Sequence, residues 1–414
     1  GLTWSEALEQ LRQADAYAGP LLHDDWGLYN LNVYANQRHL LWGLAIVLFL
    51  LLLFLPALRD GQGLRSFGEK QAWQSDSVGA VLYPALVVFP LSYWHGSATI
   101  ALLLVLAFWA LWSRERLRFL VTGLSAVTGA FLFRMIFSSE NLVSGPGLWH
   151  WGYILDDSSA AGVLGFLLTL FGPAAFFMLA APSLQKEKWR RIALLALVLP
   201  TLFGLCISLT PDVTVNHKYF MMTQLFFIPF LADLLLRIWA YSRKFSHKLV
   251  LRPLTALLLA ALLFTGVTDF WAYRNQSEYQ VTVATDDAFS RWLYDETEPG
   301  TIALTPPWAL HSYFLTGRLS WYGHPYYAQS AGYAVEQRLE DIRWFLAAAP
   351  QDAANLRAYA EGNELALLMI DDRWRMDPEY FINEETLATL FARVAFFPEQ
   401  DNLSVYDLRA KAGP

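Results

Sequence analysis

Cysteine is nearly absent from this 414-residue sequence, which contains only Cys206. A single cysteine cannot form a disulfide within the chain, and a metal site built from several cysteines is excluded with it. Charged residues are also scarce, at 16% of the sequence, and the net charge is -7. Such a composition gives no basic footprint for nucleic acid. Disulfide-stapled domains and nucleic-acid-binding proteins are therefore excluded.

Hydrophobic residues make up 55% of the sequence, and its mean hydropathy is +0.30. This average is typical of a membrane protein that carries a water-soluble part. Apolar blocks long enough to cross a bilayer recur along the chain. They are Leu40 to Ala57, Val78 to Trp94, Ala98 to Trp112, Leu117 to Phe137, Ala160 to Ala181, Ile192 to Leu209, Tyr219 to Trp239 and Leu249 to Phe270. We predict an α-helical polytopic membrane protein with about eight transmembrane helices and a C-terminal extracytoplasmic α/β domain.

The segment before the first apolar block is too polar to span a membrane. Trp4, Leu8 and Leu11 recur there at helical spacing, with Thr3 or Ser5 available as the N-cap. This pattern predicts a short amphipathic helix.

Three regions follow from these patterns. We expect residues 1–38 to form an extracytoplasmic interfacial segment, residues 39–272 the transmembrane domain and residues 273–414 the extracytoplasmic domain. The sequence begins at Gly1 and shows no signal peptide, so we expect a segment upstream of it.

Basic residues are distributed unevenly between alternate loops. The loops after the first, third, fifth and seventh blocks contain Arg59, Arg65 and Lys70; Arg114, Arg116 and Arg118; Lys186, Lys188, Arg190 and Arg191; and Arg243, Lys244, Lys248 and Arg252. The intervening loops offer only Lys218. The positive-inside rule therefore predicts that the basic loops face the cytoplasm and that both ends of the chain lie outside.

The last part of the chain alternates helical and strand patterns, which predicts a small α/β domain. The predicted helices are Ala288 to Asp295 and Val335 to Ala347, the predicted strands are Thr301 to Thr305 and Leu365 to Ile370, and Arg393 to Pro398 with Leu403 to Leu408 predict a hairpin. No G-x-G-x-x-G, P-loop, H-E-x-x-H or G-x-S-x-G motif occurs there, which argues against nucleotide binding or a standard hydrolase. The aromatic stretch from Trp321 to Tyr333 would expose a large apolar patch, so we expect this domain to dock on the outer loops.

Polar and ionisable side chains are concentrated where one predicted outer loop meets a helix. The loop from Thr210 to Lys218 contains Asp212, Asn216 and His217 and leads directly into an apolar block. Such groups at the end of a span are well placed to meet a charged lipid headgroup or substrate.

A second predicted outer loop, from Ser138 to Ser159, contains Glu140, His150, Asp156 and Asp157 among several aromatic residues. An aromatic belt at the membrane interface explains the Trp and Tyr residues of this loop. It explains the carboxylates and the histidine less well, which makes them candidates for a site.

Three charged residues lie inside predicted helices. Arg134 lies one turn inside the outer end of its helix, where it can snorkel to the interface, pair with an acid or meet an anion. Asp233 and Arg237 are one turn apart near the other membrane face and predict an interfacial ion pair.

Three short motifs resemble those of a known group of proteins. They are NQRHL at Asn36 to Leu40, NHKYF at Asn216 to Phe220 and GRLSWYGHPYYAQSAGYAVEQR at Gly317 to Arg338. Together they are similar to bacterial polytopic proteins related to the GT-C-type glycosyltransferases, the superfamily of protein mannosyltransferases and oligosaccharyltransferases. The resemblance covers most of the chain, although each motif is short.

This resemblance implies an enzyme that takes a sugar from a polyprenyl phosphate or pyrophosphate donor and passes it to an acceptor outside the bacterial inner membrane. An Asp or Glu of the first outer loop acts as general base in that superfamily, and cations steady the leaving phosphate. The family's carboxylate follows a first transmembrane helix, whereas no helix precedes Asp24 and Asp25 here. Either that helix lies upstream of this sequence or the two aspartates have no catalytic role, and we favour the first.

The candidate site residues form two groups on this interpretation. Asp212, Asp156 and Asp157 are the candidate catalytic carboxylates. The candidates for binding the lipid-linked phosphate and sugar are Arg134, His150, Asn216, His217 and Lys218. Carboxylate oxygens would suit Mg²⁺ or Mn²⁺, but no spacing in the sequence requires a metal cofactor.

Two other functions stay open. A non-catalytic scaffold subunit of a membrane complex would explain a missing catalytic carboxylate, and a transporter would need ionisable groups near the bilayer midplane, where few occur. The expected partners are a lipid-linked sugar donor, membrane lipids, and an upstream segment or other membrane subunits.

Overall fold

The computed structural model describes residues 3–15, 38–61, 63–137, 149–210, 212–242, 248–276, 283–307, 312–330 and 335–411. These residues fall into two compact units. The helical unit contains the described residues up to 276 except Thr210 and Asp212, and the second unit contains those two and residues 283–411. Asp24, Asp25, Glu140, Arg243 and Lys244, which are named above, lie outside the described residues.

α-Helices form almost all of the helical unit. In chain order they are α1 (Trp4–Arg12), α2 (Arg38–Arg59), α3 (Val78–Val88), α4 (Leu91–Trp94), α5 (Gly96–Trp112), α6 (Arg116–Phe137), α7 (Ala160–Phe171), α8 (Pro173–Ala180), α9 (Lys188–Ala196), α10 (Leu199–Cys206), α11 (His217–Ser242) and α12 (Lys248–Gln276). Short 3-10 turns at Leu64–Gly68, Lys70–Trp73 and Val213–Asn216 connect some of them.

The first helix confirms the predicted amphipathic segment and its cap. The Thr3 hydroxyl accepts a hydrogen bond from the Glu6 N–H, and the Glu6 carboxylate accepts one from the Thr3 N–H. This reciprocal capping box satisfies two backbone donors that the first turn of a helix leaves without partners.

Five segments of the described chain are long and apolar enough to cross a membrane. They are His39–Arg59, Arg116–Ile136, Lys188–Cys206, Val213–Ser242 and Leu249–Asn275. The predicted spans Val78 to Trp94 and Ala98 to Trp112 correspond to shorter apolar helices, and Pro90 interrupts the first of them. The number of eight spans is therefore not confirmed.

The predicted span Ala160 to Ala181 is a bent pair of helices instead of one straight helix. α7 and α8 meet at an angle of 111°. The break is at Gly172, whose φ of 53° lies in the left-handed region that favours glycine. Counting the bent pair as one span raises the total to six.

Basic loops gather at one end of the helical unit. There the Gly63 N–H donates to the Trp112 carbonyl at 3.1 Å, which joins the loop after α2 to the end of α5. The Arg116 guanidinium donates to the carbonyls of Gly63 and Ser66 and is only 2% exposed. Arg118 is also buried. Part of the basic charge seen in the sequence is therefore used to hold loops together.

One glycine allows two helices of this unit to approach closely. α6 packs along α3, and the Ser125 hydroxyl donates to the Ala85 carbonyl at 2.6 Å. A Cβ atom at Gly129 would lie 2.1 Å from the carbonyl oxygen of Phe89. Small residues serve the same purpose in membrane helix packing generally.

The second unit contains a five-stranded mixed sheet. Its strands are β1 (Ile302–Leu304), β2 (Leu319–Ser320), β3 (Leu365–Ile370), β4 (Phe391–Phe397) and β5 (Leu403–Lys411), in the order β2-β1-β3-β5-β4. β1 is parallel to β2 and β3, whereas β5 is antiparallel to β3 and β4. The helices of this unit are α13 (Ala288–Glu296), α14 (Ser312–Leu315), α15 (Pro325–Ser330), α16 (Val335–Ala347), α17 (Ala353–Gly362), α18 (Asp372–Met376) and α19 (Glu384–Leu390).

The central strand β3 confirms its prediction and explains why its sequence is continuously apolar. All six of its residues are buried. Leu368 belongs to the hydrophobic cluster on one face of the sheet and Leu367 to the cluster on the other. A strand that is covered on both faces has a continuously apolar sequence, without alternation of apolar and polar residues. The predicted terminal hairpin is confirmed as well, by the antiparallel pairing of β4 with β5.

The aromatic stretch after Gly317 contributes to the core of its own unit. Tyr322 is 2% exposed, and Trp321 is half-buried with the Arg338 guanidinium 4.9 Å from its ring. Arg318 is buried and donates to the carbonyls of Leu293 and Thr297 at the end of α13. Trp321 and Tyr322 therefore need no second surface to cover them, and the docking of this domain on the outer loops stays a prediction.

Candidate functional site

Two histidines meet at the end of the helical unit opposite the basic loops. His39 lies at the start of α2, and His95 occupies the break between α4 and α5. Their rings stack with centroids 5.4 Å apart and planes inclined by 25°. Gly43, one turn along α2 from His39, leaves room for this contact, since a Cβ atom there would lie 3.2 Å from the His95 Cβ.

His95 is buried and carries no charge. Its Nδ1 atom accepts a hydrogen bond from the Ala98 N–H at 3.2 Å and caps α5, which leaves its proton on Nε2. Burial and, after it, the positive charges of Lys218, His39 and His217 lower the pKa of His95 to about 3. His39, His95, His217 and Lys218 therefore form one electrostatic group, which we call the histidine–lysine cluster.

The start of α11 brings His217 and Lys218 into this cluster. Both residues are half-buried. The His217 Nδ1 atom lies 2.8 Å from the carbonyl oxygen of Thr214, and because a carbonyl only accepts, Nδ1 is the donor. The Tyr153 hydroxyl donates to the same carbonyl at 3.0 Å. One backbone oxygen thus fixes the His217 ring relative to the loop that contains Tyr153.

Asn216 connects α10 to α11 through its side-chain amide. It is 3% exposed, and its Nδ2 atom donates to the carbonyls of Gly204 at 3.0 Å and Ile207 at 2.8 Å. These carbonyls lie in the last turn of α10 and just after it, where helices leave acceptors without partners. The amide is committed to the backbone, so we assign Asn216 a positioning role for the two residues that follow it.

The loop that contains His150 is bound to the end of α10. The His150 N–H donates to the Cys206 carbonyl at 2.9 Å, and the Gly152 N–H donates to the Leu205 carbonyl at 3.0 Å. Both ring nitrogens of His150 are buried and lack a hydrogen-bond partner among the described residues. Burial lowers the pKa of His150, which favours the neutral imidazole.

The two aspartates of this loop are exposed to solvent. The Asp157 carboxylate accepts a hydrogen bond from the Ser159 N–H at 3.0 Å, and this bond lowers the pKa of Asp157. Ser159 in turn caps α7. Asp156 is exposed. Within the part of the chain that the structure describes, no three His, Cys, Asp or Glu side chains lie together as a metal site.

Arg134 and Asp212, two other residues predicted for the site, lie on different parts of the chain. Arg134 is exposed near the end of α6, and its guanidinium makes no hydrogen bond or ion pair with a described residue. Asp212 belongs to the second unit. Their predicted approach to Lys218 stays a prediction. By contrast, the predicted pair of Asp233 and Arg237 is confirmed, with Oδ2 and Nη2 2.8 Å apart.

The structure adds His39 and His95 to the residues expected from the sequence. His39 stands within the NQRHL motif, and His95 separates two apolar blocks as an isolated histidine. An isolated histidine is a weak signal on its own. Only the packing of α2 against α4 and α5 shows that the two rings meet.

An apolar cavity of about 470 Å³ lies in the same unit, between α8, α11 and α12. Its wall is mostly hydrocarbon, and it includes Gln224, whose amide oxygen is buried without a hydrogen-bond partner among the described residues. Phe220 and Met221 are buried between Gln224 and His217 along α11. The cavity has the size and lining of a site for a hydrophobic ligand.

The sequence matches no known protein-family model, and no curated protein matches it. The chemistry of the site therefore carries the functional conclusion.

The histidine–lysine cluster has the groups that bind an anion. Lys218 supplies an ammonium group, His39 and His217 supply imidazole rings, and neutral His95 supplies an Nε2–H donor. Charge-assisted hydrogen bonds from such groups are the stronger ones for phosphate or carboxylate. Burial and the neighbouring cations keep His95 neutral, so this histidine takes part as a hydrogen-bond donor and not as a charge.

Proposed function

We propose that this protein is a membrane glycosyltransferase of the GT-C type that takes a sugar from a polyprenyl-phosphate-linked donor. The histidine–lysine cluster at one end of an apolar helical unit carries this proposal. A polyprenyl phosphate is an anion at the end of a long hydrocarbon chain. It therefore needs cationic donors at the membrane face and apolar helices beside them.

The proposal includes the orientation expected from the sequence. The helical unit lies in the bacterial inner membrane and crosses it about eight times, with the shorter helices α3 to α5 and the bent pair α7 and α8 adding to the five long segments. The end that contains Arg116 and Lys188 faces the cytoplasm, and the cluster faces outward. The transfer then takes place on the outer side, where residues 273–414 also lie.

Binding of polyprenyl phosphate to the full-length protein in nanodiscs tests the proposal. Replacing Lys218 by Ala removes one charge-assisted contact, so we expect binding to weaken roughly ten- to a hundredfold, or by about 1.5 to 3 kcal/mol. Lys186→Ala is the matched control, because Lys186 is an exposed lysine in a loop of the basic set. Equal binding by the two variants would overturn the assignment of the cluster.

A scaffold subunit is the second candidate, and the position of the carboxylates favours it. Asp157 accepts a hydrogen bond from Ser159, the residue that caps α7, and Asp156 is exposed to solvent. A scaffold would bind the lipid phosphate without transferring its sugar. Binding that depends on Lys218, in a protein that never releases sugar from a lipid-linked donor, would support this second function.

A further inference from the structure

The apolar face of α1 is only partly covered by the protein. Trp4, Leu8 and Leu11 follow one another at i, i+4 and i+7 and share one face, whereas Glu6 and Glu9 lie on the other side of the helix. Leu11 is half-buried, but Trp4 is 87% exposed and Leu8 is 58% exposed. Two large apolar side chains are thus presented next to each other on the surface.

Asn275 holds α1 at the end of a membrane-length helix. Its Nδ2 atom donates to the carbonyls of Arg12 and Ala14, both at 2.7 Å, and α1 packs against α12. Asn275 is the last residue of the apolar segment Leu249–Asn275, which is 27 residues long. The C-terminal end of α1 is therefore fixed where this segment ends.

The last turns of α12 have the composition of a membrane interface. Trp271 lies there with the Arg274 guanidinium 5.5 Å from its ring, and Tyr273 is 51% exposed. Trp, Tyr and Arg at the end of a span anchor it at the level of the lipid headgroups. The preceding turns expose Val267 and Phe270, as expected of a surface in contact with acyl chains. α1 is attached at Asn275, directly after these interfacial residues.

We infer that α1 is a membrane-surface helix, whose Trp4 and Leu8 side chains insert into the headgroup region of the leaflet reached by the C-terminal end of α12. The attachment to Asn275 places the helix at that depth, and an interfacial helix buries its apolar face just below the headgroups. This inference does not depend on the proposed catalytic function.

The charge of α1 shows which interaction with lipid dominates. From Thr3 to Asp15 the segment has one basic residue, Arg12, and three acidic ones, Glu6, Glu9 and Asp15, so its net charge is 1 - 3 = -2. Attraction to anionic lipids cannot hold such a segment on a membrane. Insertion of apolar side chains holds it, and zwitterionic lipids are sufficient.

Depth-dependent fluorescence quenching tests the inference. The full-length protein in a Cys206→Ala background receives one cysteine by Trp4→Cys, Leu8→Cys or Glu9→Cys, is labelled with an environment-sensitive fluorophore, and is placed in phosphatidylcholine nanodiscs. Lipids with a spin label near the headgroup should quench the probes at 4 and 8 several-fold more than the probe at 9. Equal quenching at the three positions would overturn the inference.

The attachment has a test of its own. Asn275→Ala removes both hydrogen bonds, so quenching at position 8 should fall to the level seen at position 9, while a probe at Tyr273, which is exposed at the interfacial end of α12, keeps its quenching. Unchanged quenching at position 8 would overturn the role of Asn275. Probes at 4 and 8 that are shielded from water but not quenched by lipid would show that a protein covers this face, and that result overturns the inference as well.

Exchanging half of the phosphatidylcholine for phosphatidylglycerol should leave quenching at positions 4 and 8 unchanged or lower it. A several-fold increase would show that anionic lipids hold the helix, and it would overturn the apolar mode of insertion.

Discussion

Single residues of the NHKYF motif have different roles. His217 and Lys218 act electrostatically on buried His95, whereas Asn216 gives both amide hydrogens to backbone carbonyls of the neighbouring helix. The hydrogen bonds of Asn216 fix the point where α11 begins, and they thereby position His217 and Lys218, which follow in the sequence. A motif that resembles a binding sequence can therefore contain a residue whose contribution is structural.

Replacing Asn216 by Ala should destabilise the protein. The carbonyls of Gly204 and Ile207 would lose their donor in a buried place, and each unsatisfied buried polar group costs about 1 to 3 kcal/mol. Thermal unfolding of the full-length protein in detergent measures the change. Asn355→Ala is the matched control, because Asn355 is exposed on α17. An Asn216→Ala protein as stable as the control, but with weaker binding of polyprenyl phosphate, would point to direct contact with ligand.

The arrangement of two helix pairs in the helical unit depends on glycine residues. Gly129 lets α6 pass next to the end of α3, and Gly172 allows the turn between α7 and α8. Both glycines occur in apolar sequences that otherwise indicate ordinary spans. Packing decides whether a glycine in such a sequence is a point of contact, a bend or neither.

Gly129→Ala should disrupt the pairing of α3 with α6. The new methyl group would lie 2.1 Å from the Phe89 carbonyl oxygen, so the helices must separate, and overpacking of this kind costs about 1 to 3 kcal/mol. Gly266→Ala in α12 is the control, because a Cβ atom there has nothing within 4 Å. Alanine is the better helix former by about 1 kcal/mol, so the control should unfold at the same temperature or a higher one. Equal melting temperatures for the two variants would contradict the close approach.

The helical unit as a whole has two chemically different ends. Basic loops, including buried Arg116 and Arg118, occupy one end, and the histidine–lysine cluster occupies the other. α1 is attached at the C-terminal end of α12. The distribution of basic residues predicts that the end with the basic loops faces the cytoplasm. Because Cys206 is the single cysteine of the sequence, one substitution gives a cysteine-free background for labelling.

Labelling of single cysteines in a Cys206→Ala background tests the orientation. Lys186→Cys should react with a membrane-impermeant thiol reagent only from the cytoplasmic side, and Arg373→Cys, which is in the second unit, only from the outer side. Both positions are exposed, so both should react once the membrane is permeabilised. Reaction of Arg373→Cys from the cytoplasmic side alone would reverse the predicted orientation.

The sequence by itself determined the features that depend only on residues close together in the chain. The capping box of α1, the buried strand β3 and the hairpin of β4 and β5 are encoded within short segments, because periodicity and cap chemistry act over a few residues. The sequence also placed His217 and Lys218 at the end of a helix, since a charged pair next to a long apolar block marks a membrane boundary.

Tertiary structure alone decided the rest of the candidate site. His39 and His95 belong to different helices, and only packing brings their rings together. The bend at Gly172 and the bonds of Asn216 also depend on which helix lies alongside, as does the burial of Tyr322. The physical reason is the same in each case: hydrogen bonds, ring contacts and desolvation depend on distances in space between residues far apart in sequence, which no local pattern records.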